Sequence, residues 1–281
     1  MNMKVEEIEV KDYLTKSNLP ASDFTINPYV GCPHGCKYCY ASFMRRFTGH
    51  TENWGEFIDI KRCNKKIDLK KIEGKTLFLS SVTDCYNEFE KEYGITKSIL
   101  EQLVNANVVV NISTKSSLIL RDVELLKKLK HLTVSISINT LDENFKNDMD
   151  HASSIQDRMK TLKTLHENGI YVILFMSPIF PYITDFESII SCTKEFVDEY
   201  FFENLNLRGG YKRYILNYIH QNYPHVYQEY LNIYEKKDDS YWKKLSKEIE
   251  EYCSKNNIRY KNYFYHEKLV STKNSNKGES I

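Results

Sequence analysis

Cys32, Cys36 and Cys39 lie within eight residues, spaced C-x3-C-x2-C, in the run Gly31-Cys32-Pro33-His34-Gly35-Cys36-Lys37-Tyr38-Cys39-Tyr40. Three thiolates are one short of the four that ligate a [4Fe–4S] cluster through protein alone. That shortfall leaves one iron open to an external molecule. Gly31, Pro33 and Gly35 suit a tight loop that folds its sulfurs around one centre. A structural zinc site wants a fourth Cys or His at suitable spacing. His34 lies inside the loop and no second C-x2-C pair follows. Seven cysteines, an odd number, in a chain of 281 residues without a secretory signal argue against a disulfide framework. The spacing points to iron–sulfur chemistry.

Such a loop needs a frame. From about residue 76 to 220, short apolar runs alternate with amphipathic stretches, the rhythm of a parallel sheet with helical crossovers. Strands are expected at 24–27, 76–80, 108–113, 132–138, 170–177 and 201–207, and helices at 96–105, 122–129, 154–168 and 185–200. Val108-Val109-Val110-Asn111-Ile112 is β-branched and nearly continuous, as in a strand buried on both faces. Asn168-Gly169 stops the third helix. After Gly209-Gly210 the pattern turns helical to residue 257, with a short strand at 258–264. The expected division is an N-terminal extension (1–22), a core (23–210), a helical cap (211–270) and a polar, disordered tail (271–281). No internal repeat is visible.

Composition sets outer bounds. Hydrophobic residues make up 41%, enough for a sizeable core. Charge is balanced, 39 basic against 38 acidic residues, so no global field favours nucleic acid or an anionic membrane. No run is long enough to span a bilayer, and Met1-Asn2-Met3-Lys4-Val5-Glu6-Glu7 is not a signal peptide. A cytoplasmic protein without a membrane partner is therefore expected. Abundant Lys, Asn, Ile and Tyr suggest, by association alone, an AT-rich bacterial genome.

Polar groups recur at successive strand ends. Ser80, Ser81, Thr83 and Asp84 close the second strand, Ser113-Thr114-Lys115-Ser116 closes the third, and Ser135 and Ser137 lie on the fourth. Hydroxyls and carbonyls there suit the polar groups of a ligand, and the Lys115 ammonium suits a carboxylate. Arg158, at the head of a helix, is a second candidate for that carboxylate. Singly, each is equally a turn cap or a solvated charge; in sequence, each at a strand end, they outline a binding rim.

The cysteine run, including the aromatic Tyr38 before the last cysteine, resembles the signature of the radical S-adenosylmethionine (SAM) superfamily. Within it, the chain is most similar to the spore photoproduct lyase-like group. That likeness rests on Asn27-Pro28-Tyr29-Val30-Gly31-Cys32, His34-Gly35-Cys36, Tyr38-Cys39-Tyr40-Ala41, His50, Trp54-Gly55, Ser81-Val82-Thr83-Asp84, Thr114-Lys115-Ser116, Arg121-Asp122 and Pro178, about residues 24–180. It extends to members encoded as a mobile pair of radical SAM proteins. The resemblance implies an α/β fold, a partial (β/α)6 TIM-like barrel with a helical C-terminal extension. It implies a [4Fe–4S] cluster on Cys32, Cys36 and Cys39. Its cofactor is SAM, with Tyr38, Ser80, Ser81, Thr83, Lys115, Ser135, Ser137 and Arg158 as contacts. Reductive cleavage of SAM would yield a 5′-deoxyadenosyl radical that takes hydrogen from substrate. A reductant such as flavodoxin or ferredoxin is implied, and a peptide, protein or nucleic-acid component as substrate. Cys85 stands where the group usually has proline, and Asp150-His151-Ala152-Ser153 where it tends to have Glu-Pro-X-Ala. The lyases proper carry a hydrogen-donor cysteine where this chain has Ser80-Ser81.

Cys85 is the candidate catalytic thiol, able to donate a hydrogen atom; its alternative is a small inert loop residue. Cys63, Cys192 and Cys253 lack ligand spacing, and the latter two read as buried helix residues. Trp54 is expected to pack under the loop. Tyr211, Tyr214, Tyr218, Tyr223, Tyr227, Tyr230 and Tyr234 recur at largely helical spacing, a packed face rather than a base-stacking platform. Two other readings stay open: a nucleic-acid-directed lyase or repair enzyme, and a non-catalytic iron–sulfur or zinc protein.

Overall fold

Runs such as Val109–Thr114 and Tyr171–Ile179 bury one face against helices and turn the other inward, as parallel strands joined by helical crossovers do. The structure is a computed structural model and describes residues 3–19 and 22–264; the polar tail 271–281 lies outside the described residues. The strands are β1 (Lys4–Glu9), β2 (Leu14–Lys16), β3 (Phe24–Ile26), β4 (Tyr29–Gly31), β5 (Phe57–Arg62), β6 (Thr76–Leu79), β7 (Val109–Thr114), β8 (His131–Ser137), β9 (Tyr171–Ile179), β10 (Glu199–Asn204) and β11 (Tyr260–Asn262). The helices are α1 (Leu69–Ile72), α2 (Glu90–Tyr93), α3 (Ile95–Leu103), α4 (Val123–Leu126), α5 (Glu143–Met149), α6 (Ile155–Glu167), α7 (Phe186–Thr193), α8 (Gly209–Asn222), α9 (Tyr227–Tyr234) and α10 (Ser240–Lys255).

The main sheet has eight strands in the order β11-β10-β9-β8-β7-β6-β3-β2. From β3 to β10 its members are parallel, and these are the six strands expected from the sequence. β11 adds a parallel edge and β2 an antiparallel one. This is an open (β/α)6 barrel. Between Phe202↔Met176 and Asn204↔Ile179 the β9–β10 register shifts.

Two elements differ from the sequence pattern. The expected helix 185–200 ends at Thr193, because Tyr200 and Phe202 already pair with Leu174 and Met176 in the sheet. The helix expected at 122–129 shrinks to α4, preceded by a 3-10 turn at Ser117–Asp122. A second sheet, ordered β1-β5-β4, has no counterpart in the sequence reading. β1 runs parallel to β5, and β5 antiparallel to β4, whose last residue is Gly31. The cysteine loop therefore leaves a strand backed by its own small sheet.

On the helix-facing side of the main sheet, Ile112, Val134, Ile136, Leu174 and Phe202 are fully buried in one hydrophobic cluster. Burial contributes about 1.5–3 kcal/mol for each such side chain. A second cluster joins Tyr38 of the cysteine loop to Phe145, Phe180, Ile215, Ile219 and Tyr230. The tyrosines of α8 and α9 mostly pack there, as their spacing predicts; Tyr214 stays exposed under Lys37. Among the described residues no helix is long and apolar enough to cross a membrane.

Candidate functional site

The loop after β4 is shaped by backbone that accepts no side chain at two places. Gly31 has φ +84°, and a Cβ there would lie 2.4 Å from the Phe57 carbonyl oxygen. Gly55 has φ +99°, and its Cβ would lie 2.7 Å from the Gly35 Cα. Glycine alone tolerates such contacts at positive φ. Within the loop, Gly35 N–H donates to the Cys32 carbonyl (3.2 Å) and Cys39 N–H to that of Cys36 (3.1 Å). Outside it, Lys37 N–H donates to Met149 O (2.9 Å), His151 N–H to His34 O (2.8 Å), and Thr83 Oγ1 to Gly31 O (2.6 Å).

Two carboxylates organise the surroundings. Asp84 accepts from Thr114 Oγ1 (2.7 Å) and the backbone N–H of Lys115 (2.8 Å), and lies 3.4 Å from His34 Nδ1. Burial holds His34 below the usual imidazole value even though Asp84 pulls the other way. Asp150 accepts from Tyr38 (3.1 Å) and from Arg158 Nη2 (2.5 Å). Burial works to raise the Asp150 carboxyl, but Arg158, Lys115 and Lys146 overcome it and hold it below its ordinary value. Ser154 caps α6 by accepting from Asp157 N–H (3.0 Å), which fixes Arg158 on the first turn.

The three cysteine sulfurs share this enclosure. All three thiols are pushed up by burial, Cys36 to about 12; the other two cysteines push up Cys32, while Lys115 pulls Cys36 and Cys39 back. A single zinc ion with thiolates at 2.3 Å would draw its sulfurs to about 3.8 Å apart. The three sulfurs do not gather within 4.8 Å, whereas donor atoms of Glu6, His50 and Asp59 do. The three cysteines are therefore not drawn together around a single-ion site in this structure. The Trp54 indole N–H is buried without a nitrogen or oxygen partner and is turned toward Cys39. A donor facing sulfur is a recurrent feature around iron–sulfur centres.

The strand-end residues divide into two sets. Ser80, Ser81 and Thr83 brace the rim: Ser80 Oγ accepts from Cys85 N–H (2.8 Å), Ser81 Oγ from Asn27 (2.8 Å), and Thr83 holds Gly31. The Ser81 carbonyl also accepts from the Tyr40 hydroxyl. Ser135 and Ser137 instead alternate with buried Val134 and Ile136, on the face away from the helices. The Lys115 ammonium sits 5.8 Å from the Tyr38 ring centre, and among the described residues it has no carboxylate within 4.0 Å.

Two expectations need correction. Arg158 is not poised for an incoming carboxylate: its guanidinium is buried and engaged by Asp150, Ser153 O and Ser137 O. Cys192 is exposed on α7 rather than buried. Cys85 is fully buried in the main hydrophobic cluster, and burial pushes its thiol far up, the profile of a packing residue. Cys63, Cys85, Cys192 and Cys253 are not brought together as a ligand group. Trp54 packs edge-on to Phe57 (5.8 Å), and His50 stacks on the same ring (4.0 Å) while meeting Asp59 at 2.8 Å. Asp150 as the loop's anchor escaped sequence reasoning, because its pairing with Arg158 is made across the α6 cap and leaves no signal in the local spacing.

Residues 26–191 match the family described as the radical SAM superfamily. The chain is 39% identical over 232 residues to an uncharacterized protein of Methanocaldococcus jannaschii, covering 81% of this chain and 88% of that one. It is 30% identical to an uncharacterized protein of Acidianus two-tailed virus, covering 68% and 70%. Among solved structures it resembles spore photoproduct lyase complexed with dinucleoside spore photoproduct, at 16% identity and a TM-score of 0.56. That alignment covers 78% of this chain and 66% of the lyase, so the chain spans just under two-thirds of it. At this identity the likeness is one of fold.

Proposed function

The chain belongs to the radical SAM superfamily and is a radical SAM enzyme, and from that premise we propose that Cys32, Cys36 and Cys39 hold a [4Fe–4S] cluster whose open iron takes SAM. The observation that carries this reading is the union of three enclosed thiols with an unpaired Lys115 ammonium at the strand ends. When bound, cluster and SAM supply reductive cleavage of the sulfonium, which starts hydrogen abstraction from substrate. Lys115 pairs with the methionyl carboxylate, and Ser135 and Ser137 offer hydroxyls to the ribose. Ser80, Ser81 and Thr83 act as braces, fixing the rim against which the amino group lies. Tyr38, tied to Asp150 and Arg158, holds the last turn of the loop in register with the strand ends. Cys85, inside the core, serves packing, so the reaction does not draw on that thiol. Of the expected cap, α8 and α9 pack over the rim beside Tyr38, while α10 joins the main cluster and β11 extends the barrel sheet; the reductant meets the chain from solution.

Anaerobic reconstitution with iron and sulfide, followed by dithionite and SAM, tests the proposal. The expected result is about four irons per chain, an electron-spin signal altered by SAM, and release of 5′-deoxyadenosine. Substituting Cys36→Ala should abolish all three. A protein that binds only zinc, or cleaves no SAM when fully loaded, would overturn it.

A further inference from the structure

The inward face of the sheet is chemically divided. On β7 and β8 it presents Ser113, Ser135 and Ser137, with Ser113 and Ser135 paired in register. On β9 and β10 it becomes aromatic: Phe175 lies in register with Ser137 on one side and Phe201 on the other. Phe175 and Phe201 stand edge to face at 5.9 Å, and Tyr263, just past β11, completes a trio at 6.4 and 5.3 Å. These rings belong to neither hydrophobic cluster, although Tyr200 and Phe202 on the opposite face of β10 are buried in the main one. Phe175 and Phe201, outside both clusters among the described residues and gathered on an inner wall with Tyr263, offer an aromatic surface to a ligand.

Above that wall, at the end of β10, stands one carboxylate. Glu203 is half-buried and accepts from the Ser177 hydroxyl. Among the described residues no Lys, Arg or His lies within ion-pair distance of it. Lys261, in register with Phe201 on the neighbouring strand, is committed to Glu199 (3.4 Å) and lies over the Phe201 ring (5.0 Å). The hydroxyls of Tyr40, Tyr211 and Tyr263 are close enough to feel the Glu203 charge. A half-buried carboxylate with one hydroxyl donor and no cation is incompletely satisfied. Ring faces beside it attract the same kind of group it does, a positive nitrogen.

We infer that the inner wall of β9 and β10 is the substrate half of the lumen, and that Glu203 receives a cationic nitrogen of the substrate, of the guanidinium or ammonium class, laid against Phe175, Phe201 and Tyr263. This rests on the cofactor occupying the hydroxyl-bearing half, as proposed above. Ser177 positions the carboxylate.

The test uses the full chain and N-acetyl-arginine amide as probe, with N-acetyl-citrulline amide as its neutral near-isostere, read by NMR line broadening and calorimetry. Neither readout needs a cluster, so failure of the radical SAM assignment would be seen separately, as absent 5′-deoxyadenosine. The arginine probe should bind at least tenfold more tightly than the citrulline probe. Glu203→Gln should erase that preference, and Ser177→Ala should reduce it while thermal melting confirms a folded chain. Equal binding of the two probes, no binding of either, or an undiminished preference in Glu203→Gln would overturn the proposal. So would a loss of SAM affinity in Glu203→Gln as large as the loss of probe affinity, since Glu203 would then belong to the cofactor.

Discussion

The Lys115 ammonium is held over an aromatic ring with no carboxylate in pairing range among the described residues, so its charge awaits a partner from outside. A charge-assisted bond is worth about 1.5–3 kcal/mol, so Lys115→Met should weaken SAM binding about tenfold to a hundredfold with little change in melting temperature. Equilibrium binding to the reconstituted protein checks this. Asp150 makes the opposite case, a charge fully answered within the fold. Its carboxyl is held below the ordinary value of about 4, so its stabilising effect is present above that pH and lost as pH falls through the lower folded value. Thermal melts between about pH 2 and pH 5 should fall steeply in the native chain and more gently in Asp150→Asn. The C-x3-C-x2-C spacing singles out the three cysteines in the sequence, and their role as ligands is part of the proposal. Arg158 was misread because its buried partner, Asp150, becomes its neighbour through a helix cap that spacing does not announce.

Strands announce themselves more clearly than the packing between loops. All six parallel strands were legible from short apolar runs alternating with helical stretches, while β1, β4 and β5 were not. β1 reads Lys-Val-Glu-Glu-Ile-Glu, mostly exposed, and carries little apolar signal. Its pairing with β5 is a long-range event that local composition does not encode. The meeting of Gly35 and Gly55 is similarly silent, since it joins two backbones. It has a measurable consequence. Gly49 has φ +76° with open space around it, so Gly49→Ala should cost about 1 kcal/mol for conformation alone. Gly55→Ala adds overpacking, about 1–3 kcal/mol more, and should also lower iron content. Denaturant midpoints and iron analysis of the two variants separate conformation from contact.

Across the whole molecule, each central strand carries two functions on its two faces. On β8, Val134 and Ile136 enter the main core while Ser135 and Ser137 face the lumen. Ile136→Ala should destabilise the chain by about 2–5 kcal/mol, measured by denaturant unfolding. Ser135→Ala should leave that midpoint nearly unchanged and weaken SAM binding instead. A variant set in which both changes lowered stability equally would contradict the division of faces. The fold class was readable because apolar runs and amphipathic stretches follow one another in a βαβ rhythm along the chain. The chemistry of the β9–β10 wall was not, since it depends on rings from β9, β10 and the residue after β11 meeting on one face of the sheet.

Because β1 lines the edge of β5, and the turn into β5 presses Gly55 against the loop, the thiols inherit their rigidity from the first ten residues of the chain. Trimming through Glu9 would strip the edge from this buttress while leaving the barrel's own hydrogen bonds untouched. The truncated protein should then melt almost normally yet leak iron faster, a dissociation between folding and metallation that chelator-chase kinetics would reveal.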